Sequence, residues 1–137
     1  MKANKATDTK PELIVRRMLR EMGYPGYRIN WKKAPGKPDI AYPGRKIAIF
    51  VNGCFWHRCP ICRMPLPKSH TDYWSKKFEM NEERDKRNTA ELSSMEWTVI
   101  TIWECEVYKS PEIVKERIAS LLEKLDDHRE VLVSILE

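Results

Sequence analysis

Sixteen consecutive residues, Ile47 to Cys62, constrain this chain more than any others. They read Ile-Ala-Ile-Phe-Val-Asn-Gly-Cys-Phe-Trp-His-Arg-Cys-Pro-Ile-Cys, an unbroken apolar run followed by three cysteines, two adjacent aromatics and a histidine. A run apolar at every position predicts a central strand covered on both faces, and Gly53 turns the chain out of it. The remaining cysteine, Cys105, follows Trp97 to Glu104, whose β-branched and aromatic residues predict another strand. Cys54-x4-Cys59-x2-Cys62 and Cys105 together make one tetrahedral ligand set. Four thiolates leave no open coordination position, so the expected metal is a structural zinc that clamps the loop to the strand ending at Glu104. The competing reading is four buried free thiols.

The rest of the chain fits a single domain over residues 1–137, with 42% hydrophobic residues to form a core. It opens Met-Lys-Ala-Asn-Lys without an apolar signal region, and no apolar run approaches the ~18 to 20 residues that cross a bilayer. These features predict a cytoplasmic protein without a membrane partner, in a compartment where cysteines bind metal rather than pair as disulfides. Lys and Arg number 25 against 20 Asp and Glu, a net charge of +5. Such an excess fits either a nucleic-acid partner or an ordinary solvated surface.

Thr9-Lys10-Pro11-Glu12 reads as a helix start, with Thr9 as N-cap, proline in the first turn and Glu12 placed to complete a capping box. Ile14, Val15, Met18, Leu19 and Met22 keep helical spacing up to Gly23. Tyr27 to Trp31 suits a short strand and Lys32 to Lys37 a basic turn. The segments Pro38 to Tyr42 and Lys46 to Val51 form a hairpin about Pro43-Gly44. A loop from Arg63 to Ser69 precedes a polar helical segment, about Thr71 to Ser94, with a break expected near Met80-Asn81. Ser110-Pro111 starts a last helix through Leu125, and the tail at Val131 to Leu136 suits a short helix or an edge strand. The pattern is an α/β layer fold.

Several side chains carry possible chemistry. His57 lies between two cysteines on a loop the metal would hold rigid. Its imidazole is either bonded locally in a tight turn or free for acid and base work. Asp39, beside the Ile47 to Val51 strand, is either a turn aspartate or a hard ligand suited to Mg²⁺. Phe55, Trp56 and Trp74 either pack in the core or stand exposed where they can wedge between bases. Trp97 and Trp103 lie within a strand and fit core packing. Lys76, Lys77, Arg84, Lys86 and Arg87 make either a solvated helix face or a row that meets phosphates.

At Pro38-Asp39 and Phe-Val-Asn-Gly-Cys-Phe-Trp-His, residues 50–57, the chain resembles the very short patch repair (Vsr) endonucleases. The likeness extends from Asp8-Thr9-Lys10-Pro11-Glu12 through Tyr73-Trp74 and Asn81-x-Glu83-Arg84-Asp85 to Trp97 and Trp103-Glu104-Cys105. It implies a restriction-endonuclease-like core, a central mixed sheet flanked by helices, with a structural zinc on Cys54, Cys59, Cys62 and Cys105. It also implies a Mg²⁺-dependent hydrolase that nicks double-stranded DNA 5′ of the thymine in a T:G mismatch, the product of 5-methylcytosine deamination; separately, a monomer is expected.

By position, Asp39 and the backbone carbonyl of Val51 would hold Mg²⁺. His57 would activate or position water, and Glu12 would hydrogen-bond and orient His57. Phe55, Trp56 and Trp74 match the wedge, and Lys77 and Asn81 the positions facing the mismatch. Asn52 stands where many members carry a second histidine, so any proton or phosphate contact made there is expected to be weaker or differently made. Only Met1 to Thr7 precede the match, where the family usually has a longer segment reaching into the minor groove, so either the chain is trimmed or its mismatch grip is expected to be weaker. Two alternatives remain: the same fold nicking another mismatch or sequence, and a zinc-stabilised DNA-binding module without activity.

Overall fold

The computed structural model describes residues 7–136, with side chains through residue 124. Helix α1 (Lys10–Glu21) begins after Thr9, with Pro11 in the first turn where a missing N–H costs nothing. Thr9 makes no side-chain cap bond. Glu12 reaches back to the Asp8 N–H at 2.8 Å, so half of the expected capping box forms, one residue early. Gly23, at φ 89°, ends the helix. The N–H groups of Gly23 and Tyr24 close onto the carbonyls of Arg20 and Leu19 in a paired C-terminal cap.

Four strands follow in the sheet order β1 (Arg28–Ile29), β2 (Ile40–Tyr42), β3 (Ile47–Asn52), β4 (Thr98–Trp103). The β1/β2 and β2/β3 pairs are antiparallel and β3/β4 is parallel, a mixed sheet flanked by helices. Parallel neighbours need a long crossover, and the cysteine loop with helix α2 (Thr71–Ser94) provides it. Two helices complete the chain: the short α3 (Glu104–Lys109) and the long α4 (Pro111–Leu136).

Side chains on β3 alternate with a period of two. Ile47, Ile49 and Val51 pack against Val15 and Leu19 of α1 and Val114, Ile118 and Leu122 of α4. Ala48 and Phe50 face the other way, onto Leu92 of α2, Trp97 and Trp31. The strand is therefore covered on both faces. Ile49 is fully buried, and its truncation to alanine should cost about 2 to 5 kcal/mol.

Three expectations need correction, and for the tail the helical alternative holds. Helix α2 runs unbroken through Met80 and Asn81. Cys105 lies not at a strand end but in the first turn of α3, because β4 stops at Trp103 and the Glu106 carboxylate accepts the Trp103 N–H at 3.0 Å. Of Tyr27 to Trp31 only Arg28 and Ile29 pair as strand; Trp31 turns to pack on Trp97, with ring centroids 5.6 Å apart. The tail backbone continues α4, while its side chains lie outside the described residues.

Candidate active site

The register Val51↔Ile102 and Asn52↔Trp103 brings β3 and β4 to their ends side by side. The next residues on each strand thus deliver Cys54 and Cys105 to one place. The loop folds back through Cys59 N–H to Cys54 O at 3.0 Å and Arg63 N–H to Cys59 O at 3.1 Å, adding Cys59 and Cys62. All four Sγ atoms lie within 4.8 Å of one another, and none is in a disulfide. Sulfurs on a tetrahedral ion with ~2.3 Å bonds sit ~3.8 Å apart. Cys59 Sγ and Cys105 Sγ are 3.7 Å apart.

Backbone N–H groups point at these sulfurs, from Ile61 to Cys59 at 3.3 Å and from Cys105 to Cys54 at 3.4 Å. Burial pushes the Cys54 thiol up. Burial opposes ionisation of Cys59 too, but N–H groups of Cys62 and Ile61 outweigh it and hold this thiol below its ordinary range. Crowded sulfurs with amide donors and no disulfide fit a bound metal cation. The Glu104 carboxylate accepts the Cys54 N–H at 3.2 Å, fastening the loop to the start of α3.

The same strand end forms one wall of a cleft of about 1280 Å³. Asp39, just ahead of β2, lies beside Val51 and accepts its N–H through Oδ2 at 2.8 Å. Burial pushes Asp39 up to about 7. The Val51 N–H and the His57 ring pull against that rise, while Glu12 adds to it by charge and by a carboxyl–carboxyl hydrogen bond. Two carboxyl groups held together in this way attract a proton or a cation.

His57 is set by its loop, with its N–H on Gly53 O at 3.2 Å. Its Nδ1 lies 2.6 Å from Asp85 Oδ2 on α2. The expected hydrogen bond from Glu12 to His57 is therefore replaced. Glu12, 2% exposed, is engaged by Asp8 N–H, by Arg16 at 3.4 Å and by Asp39. The sequence alone assigns Asp85 no role, although it lies four residues beyond Asn81, on the same helical face.

Phe55, Trp56, Trp74 and Phe78 form one aromatic cluster. Phe55 meets Trp56, Trp74 and Phe78 edge-on at 5.1, 5.4 and 5.2 Å, and Trp74 stacks on Phe78 at 5.5 Å. Phe78 is the buried member, under the Arg58 guanidinium at 4.4 Å; the other three are half-buried. Asn81 donates to Trp56 O at 3.3 Å and accepts from Arg84 at 3.2 Å, tying α2 to the aromatic loop. Lys77 and Asn52 also line the cleft.

A family model described as DNA mismatch endonuclease Vsr matches residues 1–62. The chain is 44% identical over 108 residues to the type II nicking enzyme V.XorIIP of Xanthomonas oryzae pv. oryzae, covering 78% of each chain. It is 41% identical over 120 residues to the type II nicking enzyme V.NmeAIP of Neisseria meningitidis serogroup A, covering 88% of this chain and 84% of that one. The DNA mismatch endonuclease Vsr of Escherichia coli K12 is 30% identical over 124 residues, 90% of this chain and 79% of the relative. Likeness of this extent, over most of both chains, makes this protein an endonuclease that belongs to the Vsr family.

Proposed function

We propose that the chain is a Mg²⁺-dependent endonuclease that nicks double-stranded DNA on the 5′ side of the thymine in a T:G mismatch, in repair of deaminated 5-methylcytosine. One observation carries this reading: the Asp39 carboxyl and the His57–Asp85 pair open into the same cleft, beside the Phe55, Trp56 and Trp74 cluster. Asp39 and the Val51 backbone carbonyl would hold Mg²⁺, and the half-buried Asp39 carboxyl beside Glu12 fits a hard cation. When bound, Mg²⁺ neutralises charge on the reacting phosphate and lowers the pKa of a coordinated water.

The protein's own groups do the rest. With its Nδ1–H donated to Asp85, His57 presents Nε2 to accept the proton of the attacking water. Asp85 fixes that tautomer and stabilises the imidazolium that forms. Glu12 is a positioning residue for Asp39, itself held by Asp8 and Arg16. Phe55, Trp56 and Trp74 would enter the base stack at the mismatch, with Lys77 and Asn81 facing the bases. The four cysteines would hold zinc in a closed, structural site. The β2–β3 hairpin followed by parallel β4, with Asp39 at the hairpin's start, supports a restriction-endonuclease-like core. No helix among the described residues is long and apolar enough to cross a membrane, and a cytoplasmic monomer on DNA is the setting proposed.

A second reading keeps this chemistry but changes the substrate to another mismatch or sequence. Two relatives named as type II nicking enzymes are 44% and 41% identical, against 30% for the one named a mismatch endonuclease. Labelled duplexes that differ only in a central T:G, another mismatch or a T:A pair, incubated with Mg²⁺ or EDTA, decide between them. A cut confined to the 5′ side of the mismatched thymine supports the first reading; cutting at another mismatch or at a matched sequence supports the second.

A further inference from the structure

The basic loop between β1 and β2 takes no part in the chemistry above. Lys32 and Lys37 both line the cleft, whereas Lys33, equally exposed, does not. The loop is well fastened at its base. Asn30 and Trp31 donate backbone N–H groups to the carbonyls of Asp39 and Pro38, each at 3.0 Å. Lys37 N–H closes on Ala34 O at 3.1 Å, and Ala34 is buried with Ala48 and Leu92.

Its tip is fixed as well. Gly36, at φ 79°, lies so near α2 that a Cβ on it would come within 3.0 Å of Asn88 Cβ. Two lysines are therefore carried on a preformed loop that ends just before Asp39. Lys77 and Arg84 line the same cleft from α2.

The cleft also contains Glu12, Asp39, Asp85 and Glu104. A phosphodiester laid over that set meets like charge, and of these four carboxylates only Glu12 is ion-paired, among the described residues, with a permanently charged side chain, that of Arg16. No carboxylate among the described residues pairs with Lys32 or Lys37. We propose that the β1–β2 loop is a phosphate clamp, in which Lys32 and Lys37 each take one backbone phosphate of the bound strand and hold that strand across Asp39. This rests on reading the cleft as the DNA site. Contacts of this kind position the duplex without reading its sequence.

The test is binding of a short fluorescein-labelled duplex, with a T:G mismatch or fully paired, followed by anisotropy without Mg²⁺ over roughly 50 to 200 mM KCl. Each phosphate contact contributes about 0.9 to the slope of log K against log salt, so K32A/K37A should flatten the slope by about 1.8. Affinity for both duplexes should fall by the same factor. K33A and K32R/K37R should keep the wild-type slope. An unchanged slope in K32A/K37A, an equal change in K33A, or a loss confined to the mismatched duplex would overturn the clamp. If K32A/K37A melts early, K32Q/K37Q takes its place under the same criteria. A wild-type protein that binds neither duplex would instead overturn the reading of the cleft, so the two failures are distinct.

Discussion

The Nδ1 atom of His57 lies 2.6 Å from Oδ2 of Asp85, joining the cysteine loop to a helix 28 residues further along. Only one ring nitrogen can then face the cleft with a free lone pair, and the carboxylate is in place to stabilise the imidazolium. Asp85→Asn removes that charge and no longer dictates the tautomer. Single-turnover nicking of a mismatched duplex should fall by about 10²- to 10⁴-fold, with affinity for the duplex little changed. A parallel loss of affinity would make Asp85 a packing residue instead.

The cysteine cluster and His57 should separate cleanly under mutation. His57→Ala should abolish nicking and retain one zinc per chain, because the four sulfurs, all within 4.8 Å of one another, would complete a tetrahedral set without it. Cys59→Ser should lose the metal and lower the thermal midpoint, since the loop from Cys54 to Cys62 is then held to α3 by the Glu104 carboxylate and the Cys105 N–H on Cys54 Sγ, without the metal. Metal content by atomic absorption, together with thermal melts, checks both. Loss of zinc in His57→Ala would make the histidine a ligand.

What the sequence revealed follows from the range of the interactions involved. The central strand from Ile47 and the start of α1 at Thr9 depend on neighbours within a few residues and are visible as spacing, while the four-cysteine set shows as three close cysteines plus the one other cysteine in the chain. The partner of His57 was not, because only the crossover by α2 brings Asp85 across from the cysteine loop. Glu12 was readable as a residue that bonds near the helix start, but its contacts with Arg16 and Asp39 depend on how α1 lies against the sheet. The break expected near Met80-Asn81 follows from local helix propensity. Asn81 is instead tied by its side chain to Trp56 O, and the helix continues.

Asp39 carries a pH signature that Mg²⁺ should erase. Its pKa is about 7 in the folded, metal-free chain against an ordinary 3.8, chiefly through burial. A raised pKa means the folded state binds the proton more tightly than the unfolded chain. Stability from this group is therefore full below about pH 4 and falls as pH rises towards about 7. The metal-free thermal midpoint should decline over that window, and added Mg²⁺ should raise it more at about pH 8 than at pH 5, where proton and cation compete. Asp39→Asn should flatten the decline and remove the Mg²⁺ response while retaining zinc. A variant that keeps the wild-type slope would place the titrating carboxyl elsewhere.

Trp74 and Phe78 offer a way to tell wedge from core. They stack at 5.5 Å, but Phe78 is 4% exposed whereas Trp74 is half-buried and shares its outer edge with Trp56 at 5.7 Å. Removing the outer ring takes away a surface on which a base can stack, and leaves the inner ring under Arg58 and Phe55. Trp74→Ala should weaken binding to a T:G duplex by ~1 to 3 kcal/mol, roughly 5- to 150-fold, and weaken binding to a paired duplex much less. Phe78→Ala should instead lower stability by about 3 to 5 kcal/mol. Anisotropy titrations and thermal melts on both variants give the contrast. If Trp74→Ala loses stability as Phe78→Ala does and binds both duplexes equally, the cluster supports the loop without entering the DNA.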